Sequence, residues 1–405
     1  RQERGIPATR MILTGLDRLL ADDKALAGRR YGLLVHGASV SAALVPAHVA
    51  LKAAGAEAPT LLLGPEHGLY GIEQDMVPSA DQVDPWTGLR VVSLYGDTES
   101  SLRADRSHFR DLDLLVIDLQ DVGARYYTYA ATAVWTAEVA LQEGCEVWVL
   151  DRPNPIGGLV VEGNLRQEGY ESFVGAFQTP VRHSLTLGEL MRLEAARRSW
   201  PEGLRVWTLQ GWHRSMLWQE IDRLWIAPSP NIPTPQTALV YPGLCLVEGT
   251  ELSEGRGTTR PFELIGAPGI DALRLAGELN SRGLAGVRFV PTFFRPVFHK
   301  HENEICGGVE IKVTDPWSFQ PYRCGVEVLY HIRRIAPEAF AWREQAYEFV
   351  SDRPAIDLLT GSSELREVLE SEQDPADWCD SWFAQEDRFR REIEPWLLYP
   401  RAASS

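Results

Sequence analysis

The chain has 405 residues, of which 24% are charged and 44% belong to the hydrophobic set, and this balance excludes wholesale disorder. Its formal net charge of −16 argues against nucleic-acid binding and against adhesion to an anionic membrane, because both need a basic face. A chain of this length is expected to form about two to three domains.

The cysteines and the apolar runs indicate in which cellular compartment the protein is expected and whether it spans a membrane. The five cysteines are widely spaced and include no Cys-x-x-Cys pair, so no zinc ribbon is predicted and a reducing compartment is favoured. No apolar run reaches the ~18 residues that span a bilayer, and no apolar leader opens the sequence. We therefore expect a cytoplasmic protein without membrane insertion, with a periplasmic or secreted one as the alternative if a leader was removed. The sequence leaves the oligomeric state open.

The first half of the chain alternates short apolar runs with helical stretches. Such alternation predicts a parallel sheet covered by helices on both faces. The predicted strands are residues 31–35, 59–63, 90–94, 112–117 and 146–150, with 223–227 as a candidate sixth. The predicted helices are residues 15–26, 42–54, 130–142 and 186–198.

The second half has a different texture, which predicts a smaller α+β domain. A proline-rich segment at 228–235 and a glycine-rich loop at 248–259 lead into it. We place a first domain at residues 1–240 and a second at 241–405. The expected helices are residues 270–281, 325–335 and 339–349, the expected strands are 287–290 and 306–313 with 293–298 as a further candidate, and the acidic stretch 364–387 is expected to be a solvated helical surface.

Polar residues follow several predicted strands, where open α/β sheets bind their ligands. Glu66 is the sharpest candidate, because Pro65 fixes the backbone before it and Gly68 permits a tight turn after it. A carboxyl held rigidly at the sheet edge is suited to act as a general acid. The alternative is a turn glutamate that caps the next helix, and His67 is interpreted as an orienting partner.

Two further strand ends carry charged residues. Asp118 and Asp121 are candidates for a second carboxylate or for sugar-hydroxyl binding, although Asp121 alternatively caps a helix. Arg125 is a candidate clamp for an anionic substrate group. Tyrosines around Tyr127 are suited to a sugar-binding wall. The other strand-end candidates are Asp151, Arg152 and Asn154.

The remaining motifs argue against a bound nucleotide or dinucleotide cofactor. The loop around Arg256 lacks the Gly-Lys-[Ser/Thr] ending of a Walker loop, and the first strand is followed by His36 rather than by a dinucleotide-binding glycine motif. No metal and no cofactor are predicted. Two alternatives stay open, a non-catalytic saccharide-binding protein and a metal-dependent phosphohydrolase that would use Asp118, Asp121 and Asp151.

Several motifs in one order resemble a known family. They are Gly-Pro-Glu-His-Gly at 64–68, Asp-Leu-Gln-Asp-Val-Gly-Ala-Arg at 118–125, Asp-Arg-Pro-Asn-Pro at 151–155, His183 before Leu-Thr at 185–186, Pro-Ser-Pro-Asn at 228–231, Glu-Gly-Thr at 248–250 and Gly-Arg-Gly-Thr at 255–258. From about residue 15 to 400 the chain resembles the exo-β-N-acetylmuramidases, glycoside hydrolase family 171.

The resemblance implies a Rossmann-like catalytic domain with a smaller domain closing its cleft. It also implies release of N-acetylmuramic acid from the non-reducing end of peptidoglycan fragments, with Glu66 as the general acid. Asp118 and Asp121 would assist it. The substrate-binding residues that it implies, together with those predicted above, are His67, Gln120, Arg125, Tyr127, Asp151, Arg152, Asn154, His183, Asn231, Arg256 and Thr258.

One departure from the family pattern concerns the first strand end. The family commonly has a Thr-Asn-x-[Ser/Thr]-Gly segment there, whereas this chain has Val-His-Gly-Ala-Ser at 35–39, so His36 is the candidate replacement for the lost amide. Glu73 and Asp75 are further candidates for the second carboxylate. Retaining, inverting and substrate-assisted mechanisms all remain open at this point.

Overall fold

The computed structural model describes residues 11–22, 24–54, 58–74 and 76–402. The first part of the chain contains seven strands: β1 (Tyr31–Val35), β2 (Leu61–Gly64), β3 (Gln82–Val83), β4 (Arg90–Ser93), β5 (Leu114–Asp118), β6 (Glu146–Leu150) and β7 (Leu204–Trp207). They form one sheet in the order β3-β4-β2-β1-β5-β6-β7. Every pairing is parallel except that of β3 with β4 at the edge. The predicted parallel sheet is confirmed.

Helices cover both faces of this sheet, as the alternating pattern predicts. They are α1 (Gly15–Leu20), α2 (Ala47–Ala53), α3 (Tyr129–Gln142) and α4 (Leu187–Arg197). Leu16 and Leu51 pack with Leu33 on one face, whereas Val134 and Leu190 belong to the core on the other face. The central strands are therefore buried on both sides, which explains their uninterrupted Leu and Val content.

The candidate sixth strand at 223–227 is wrong. The sheet ends with β7, directly after α4, and residues 223–227 form a bend and irregular chain. The sequence does not predict β7 as a strand, because Arg205 interrupts its apolar run. In the structure the guanidinium of Arg205 lies over the ring of Trp207, 4.3 Å from the ring centre. Arg223 is occupied elsewhere, since it pairs with Asp17 at 2.7 Å.

The second part of the chain is the predicted α+β region. Its strands β8 (Leu264–Ala267), β9 (Val287–Phe294) and β10 (Cys306–Val313) form an antiparallel sheet in the order β8-β10-β9. Its helices are α5 (Pro235–Leu244), α6 (Ala272–Ser281), α7 (Pro321–Ile335), α8 (Ala355–Thr360), α9 (Glu364–Glu370), α10 (Ala376–Ser381) and α11 (Phe383–Ile393). Helix α5, within which the expected division at residue 240 falls, packs against α7.

Helices α5 and α7 cross at two glycines. A Cβ on Gly243 would lie 1.6 Å from the carbonyl oxygen of Pro321, and one on Gly325 would lie 2.1 Å from the carbonyl oxygen of Gly243. The two backbones therefore touch, and only glycine fits at either position.

Two expectations for the second part need correction. The helix expected at 339–349 is absent, because that segment pairs with the glycine-rich loop: Arg343 N–H donates to Gly249 and Glu251 N–H donates to Ala341. The acidic stretch is helical, but it is not purely a solvated surface, since Leu369, Cys379 and Trp382 are buried in the core. No disulfide links the five cysteines, all of which the structure describes. Within the described ranges, no helix is both long and apolar enough to cross a bilayer.

Candidate active site

The carboxyl ends of β1, β2 and β5 meet at one edge of the sheet, and His36 ties this edge together. The N–H of Gln120 donates to Nε2 of His36 at 2.9 Å, so Nδ1 carries the hydrogen and donates to the carbonyl of Pro228 at 3.0 Å. Burial lowers the pKa of His36 to about 3. The ring is therefore neutral and both nitrogens are occupied, which makes His36 part of the scaffold rather than a replacement sugar ligand.

Glu66 follows β2 at this edge and lies almost completely buried. The hydroxyl of Thr128 donates to its Oε2 at 2.7 Å, and the hydroxyl of Tyr129 donates to its backbone oxygen at 3.2 Å. The next residue, His67, adopts a left-handed backbone with φ 68°, and its Nδ1–H donates to the carbonyl of Glu73 at 3.0 Å. The turn thus fixes Glu66 rigidly, as the flanking proline and glycine predict.

A small cleft of about 40 Å³ lies in front of Glu66, between the sheet edge and the second region. Five of the predicted residues line it: Glu66, His67, Tyr127, Asn231 and Arg256. The others that line it are Tyr126, Thr128, Val174, Ser229, Ile232, Tyr241, Glu248, Phe262, Tyr347 and Glu348. The cleft therefore combines three carboxyl groups with aromatic walls, a composition that suits a carbohydrate.

The glycine-rich loop brings charge to the far wall. Arg256 donates to Oε1 of Glu248 at 2.6 Å and lies 3.2 Å from Oε1 of Glu254. The hydroxyl of Tyr347 donates to the other oxygen of Glu248. Burial alone would raise the pKa of Glu254, but Lys300, His299 and Arg256 together lower it overall. Glu254 is thus held as a carboxylate, and it contacts the same arginine as Glu248.

Asp118 and Arg152 do not reach the cleft. They form a buried two-pronged ion pair, Nε to Oδ1 at 2.6 Å and Nη2 to Oδ2 at 2.8 Å. Nη2 of Arg152 also donates to the carbonyl of Val40 at 3.1 Å. Both side chains therefore brace the strand ends, and Asp118 is not a second carboxylate facing the substrate.

Asp151 and Asn154 also have structural roles. Asp151 accepts hydrogen bonds from the Thr186 hydroxyl at 2.7 Å, from the Gly188 N–H at 2.9 Å and from the Tyr399 hydroxyl. Burial raises its pKa to about 6. Asn154 donates to the carbonyl of Leu185 at 2.9 Å. Neither side chain lines the cleft, and the carboxylates of the phosphohydrolase alternative are thereby engaged within the fold.

Asp121 and His183 form a buried pair beside the cleft without lining it. Oδ2 of Asp121 accepts from the N–H of Gly123 at 2.7 Å and lies 3.8 Å from Nε2 of His183. Burial raises the pKa of Asp121 to about 7, and burial lowers the pKa of His183 to about 3. At neutral pH the pair is therefore a neutral imidazole beside a carboxyl that is divided between its protonated and ionised forms.

Arg125 is the clearest departure from expectation. Its guanidinium is fully buried and donates to four backbone carbonyls: Asn164 at 2.8 Å, Thr179 at 2.7 Å, Leu359 at 3.0 Å and Thr360 at 2.8 Å. It therefore joins the two parts of the chain and cannot clamp an anionic substrate group.

Three other predicted residues brace loops. Gln120 donates to the carbonyls of Asp121 and Pro153, and Thr258 donates to the carbonyl of Gly255 at 2.6 Å. Glu73 supports His67 through its backbone and is not a lining residue. Asp75 lies outside the described residues. Within the described ranges, no group of three or more His, Cys, Asp or Glu side chains is arranged to hold a metal ion.

The sequence did not single out Glu248, Tyr347 or Glu348 as site residues. Glu248 opens the Glu-Gly-Thr motif, so a signal was present although no role was attached to it. Tyr347 and Glu348 lie in the segment expected to be helical, and no motif marks them. Only the tertiary pairing of that segment with the glycine-rich loop brings them to the cleft.

A buried carboxyl at the edge of a parallel sheet, facing further carboxylates and aromatic walls across a cleft, defines the class as a glycoside hydrolase. Residues 31–236 match the family model of the N-terminal part of the exo-β-N-acetylmuramidase NamZ, and residues 239–399 match that of its C-terminal part. The chain belongs to this family, which confirms the resemblance seen in its motifs.

Individual relatives agree with this assignment. The chain is 37% identical over 389 residues to the peptidoglycan β-N-acetylmuramidase NamZ of Bacillus subtilis (strain 168), covering 96% of this chain and 91% of that protein. It also resembles two crystal structures of DUF1343 family proteins from Bacteroides fragilis NCTC 9343. One has a TM-score of 0.86 at 33% identity over 96% of this chain and 99% of the other. The second has a TM-score of 0.75 at 24% identity over 97% and 100%, and it bears on the fold alone.

Proposed function

We propose that this protein is an exo-β-N-acetylmuramidase that releases N-acetylmuramic acid from the non-reducing end of peptidoglycan fragments. The observation that carries the proposal is Glu66, a rigid and buried carboxyl that opens onto a cleft of sugar-binding character. Membership of the family and the name of the Bacillus relative support the same substrate class.

Glu66 is proposed to protonate the glycosidic oxygen. The hydroxyl of Thr128 holds one carboxyl oxygen, so the rotation of the carboxyl is set before the substrate arrives. Glu248, rather than Asp118 or Asp121, lines the same cleft as Glu66, and we propose it as the carboxylate that stabilises positive charge developing on the sugar ring.

Arg256 is proposed to recognise the lactyl carboxylate that distinguishes muramic acid from glucosamine. It lines the cleft and pairs there with Glu248 and Glu254, so a lactyl carboxylate would share its donors with these two groups. The other arginine considered for this role, Arg125, does not line the cleft and is committed to four carbonyls. A guanidinium suits this task because its planar donors match the two oxygens of a carboxylate. Equal rates on a muramide and on the matching glucosaminide would contradict this assignment.

The experiment measures release of the aryl group from a chromogenic β-N-acetylmuramide and from the matching glucosaminide, with and without a chelator. We expect turnover of the muramide that the chelator does not affect. On a disaccharide fragment, whose sugar leaving group needs a proton, Glu66→Gln is expected to lower the rate of N-acetylmuramic acid release by about 10²–10⁴-fold while the protein stays folded, because the amide cannot donate the proton.

The exposed Glu168→Gln serves as the matched control and is expected to leave the rate unchanged. Near-normal turnover by Glu66→Gln would remove Glu66 from the role. Absence of turnover by the folded parent protein, combined with saturable binding of the sugar, would instead favour the saccharide-binding alternative.

A further inference from the structure

The segment Tyr347 to Val350 forms a tight turn with an unusual backbone. Tyr347 and Val350 exchange two backbone hydrogen bonds of 2.9 Å each, and between them Glu348 and Phe349 have φ of 47° and 68°. A two-residue turn with both central residues left-handed strongly prefers Gly, Asn or Asp. Glutamate and phenylalanine are strained there, and such strain persists only where the surrounding structure holds it in place.

The turn places Glu348 at the end of the cleft. Its carboxylate is 4% exposed and accepts a hydrogen bond from the hydroxyl of Tyr95 at 3.0 Å. Tyr95 follows β4, so this contact crosses from the second region to the sheet. The ring of Tyr95 packs between Phe173, 6.0 Å away between ring centres, and Phe349, 5.6 Å away. Two strained residues thus converge on one buried tyrosine, which holds the carboxylate of Glu348 from outside the cleft lining.

Glu348 also lies between the cleft and a second cavity. Behind the cleft lies a second cavity of about 270 Å³, lined by residues that include Trp135, Phe173 and Val350, and Glu348 lines both spaces. Tyr95 and Phe173, which flank Glu348, are almost completely buried. Glu348 therefore places a carboxylate between the cleft and the second cavity.

We propose that Glu348 is a specificity-determining residue that accepts a hydrogen bond from the 4-hydroxyl of the terminal sugar. This inference rests on the proposed function. A sugar linked onward through O4 has no hydrogen to donate, and its next unit would meet Glu348, which the hydroxyl of Tyr95 holds in place. A site built to bind a hydroxyl discriminates strongly against a substrate that lacks it. The turn thereby selects a chain end.

The test is a cycle that combines enzyme variants with substrate analogues. The parent protein, Glu348→Gly and Glu348→Gln are assayed on the aryl β-N-acetylmuramide and on its 4-deoxy analogue. Glycine relieves the turn, so that variant is expected to fold, and glutamine keeps the shape without the charge. Removal of either the hydroxyl or the Glu348 carboxylate is expected to lower kcat/KM by about ten- to a hundredfold. Removal of both is expected to cost little more than removal of one.

The exposed Glu344→Gln and the 6-deoxy analogue are the matched controls, and both are expected to have small effects. Losses that multiply in the double change would overturn the contact, because a residue with a purely structural role would affect both substrates equally. Equal sensitivity to 6-deoxy and 4-deoxy substitution would also overturn it. Absence of turnover of the parent muramide by the parent protein would instead overturn the proposed function itself.

Discussion

At the scale of single residues, the site separates into side chains that face the cleft and side chains that hold its frame. Glu66 was identifiable from the sequence because the proline and glycine around it dictate a rigid turn. The same reasoning could not separate Arg256 from Arg125, since both are arginines in polar motifs near strand ends. Their difference lies in long-range partners: Arg125 reaches Leu359 and Thr360, more than 200 positions along the chain.

Asp121 makes a prediction about pH. Its pKa is about 7 in the folded protein and about 3.9 in an unfolded chain, so the folded state binds an extra proton between these values. Its contribution to stability is therefore complete below pH ~4 and is lost as the pH rises towards 7. Because a tenfold difference in proton affinity is worth about 1.4 kcal/mol, Asp121→Asn should remove a decline of about 2–4 kcal/mol over this range.

Urea unfolding of both proteins from pH 4.5 to pH 7.5 checks this expectation. The difference in unfolding free energy between the parent and Asp121→Asn should fall steadily as the pH rises. Asp352→Asn, at an exposed position, controls for the general effect of removing a carboxyl. Parallel pH curves for the parent and Asp121→Asn would show that Asp121 is ionised in the folded state.

At the scale of helices and strands, hydrophobic pattern predicted the structure well where a segment is buried on both faces, as in β1, β5 and β6. It failed where a tertiary partner decides the conformation. Strand β7 was not predicted because it contains Arg205, a charged residue whose guanidinium packs over Trp207 by a cation–π contact. The segment 339–349 is predicted to be a helix from its sequence alone, but Ala341 and Arg343 pair with the glycine-rich loop and the end of the segment enters the turn at 347–350.

At the crossing of α5 and α7, replacement of glycine by any larger residue is expected to destabilise the protein. Gly325→Ala would place a methyl group 2.1 Å from the backbone oxygen of Gly243, and a backbone atom cannot rotate aside. We expect a loss of about 1–3 kcal/mol in unfolding free energy, typical of overpacking. Gly277→Ala is the control, since it lies in α6 with no atom near its Cβ position, and it should gain about 0.5–1 kcal/mol. Equal effects of the two changes in chemical denaturation would contradict the crossing.

At the scale of the whole molecule, one side chain joins the two parts of the chain. Arg125→Met would leave four buried carbonyl groups without their donor. Because a buried polar group that loses its partner costs about 1–3 kcal/mol, we expect a loss of several kcal/mol in unfolding free energy. Chemical denaturation of this variant is compared with that of Arg110→Met at an exposed position, for which we expect a small change. Similar midpoints for both variants would show that the joint contributes little.

The same joint has a consequence for how a substrate enters and a product leaves. An opening of the cleft in the manner of a hinge would break the hydrogen bonds from Arg125 to Leu359 and Thr360 together, in a place that water does not reach. The space in front of Glu66 is about 40 Å³, well below the roughly 300 Å³ of a small ligand pocket, so the side chains that line it must move apart before a sugar ring fits. Because Arg125 ties the two walls at their base, that movement belongs to the rim of the cleft and not to a hinge beneath it.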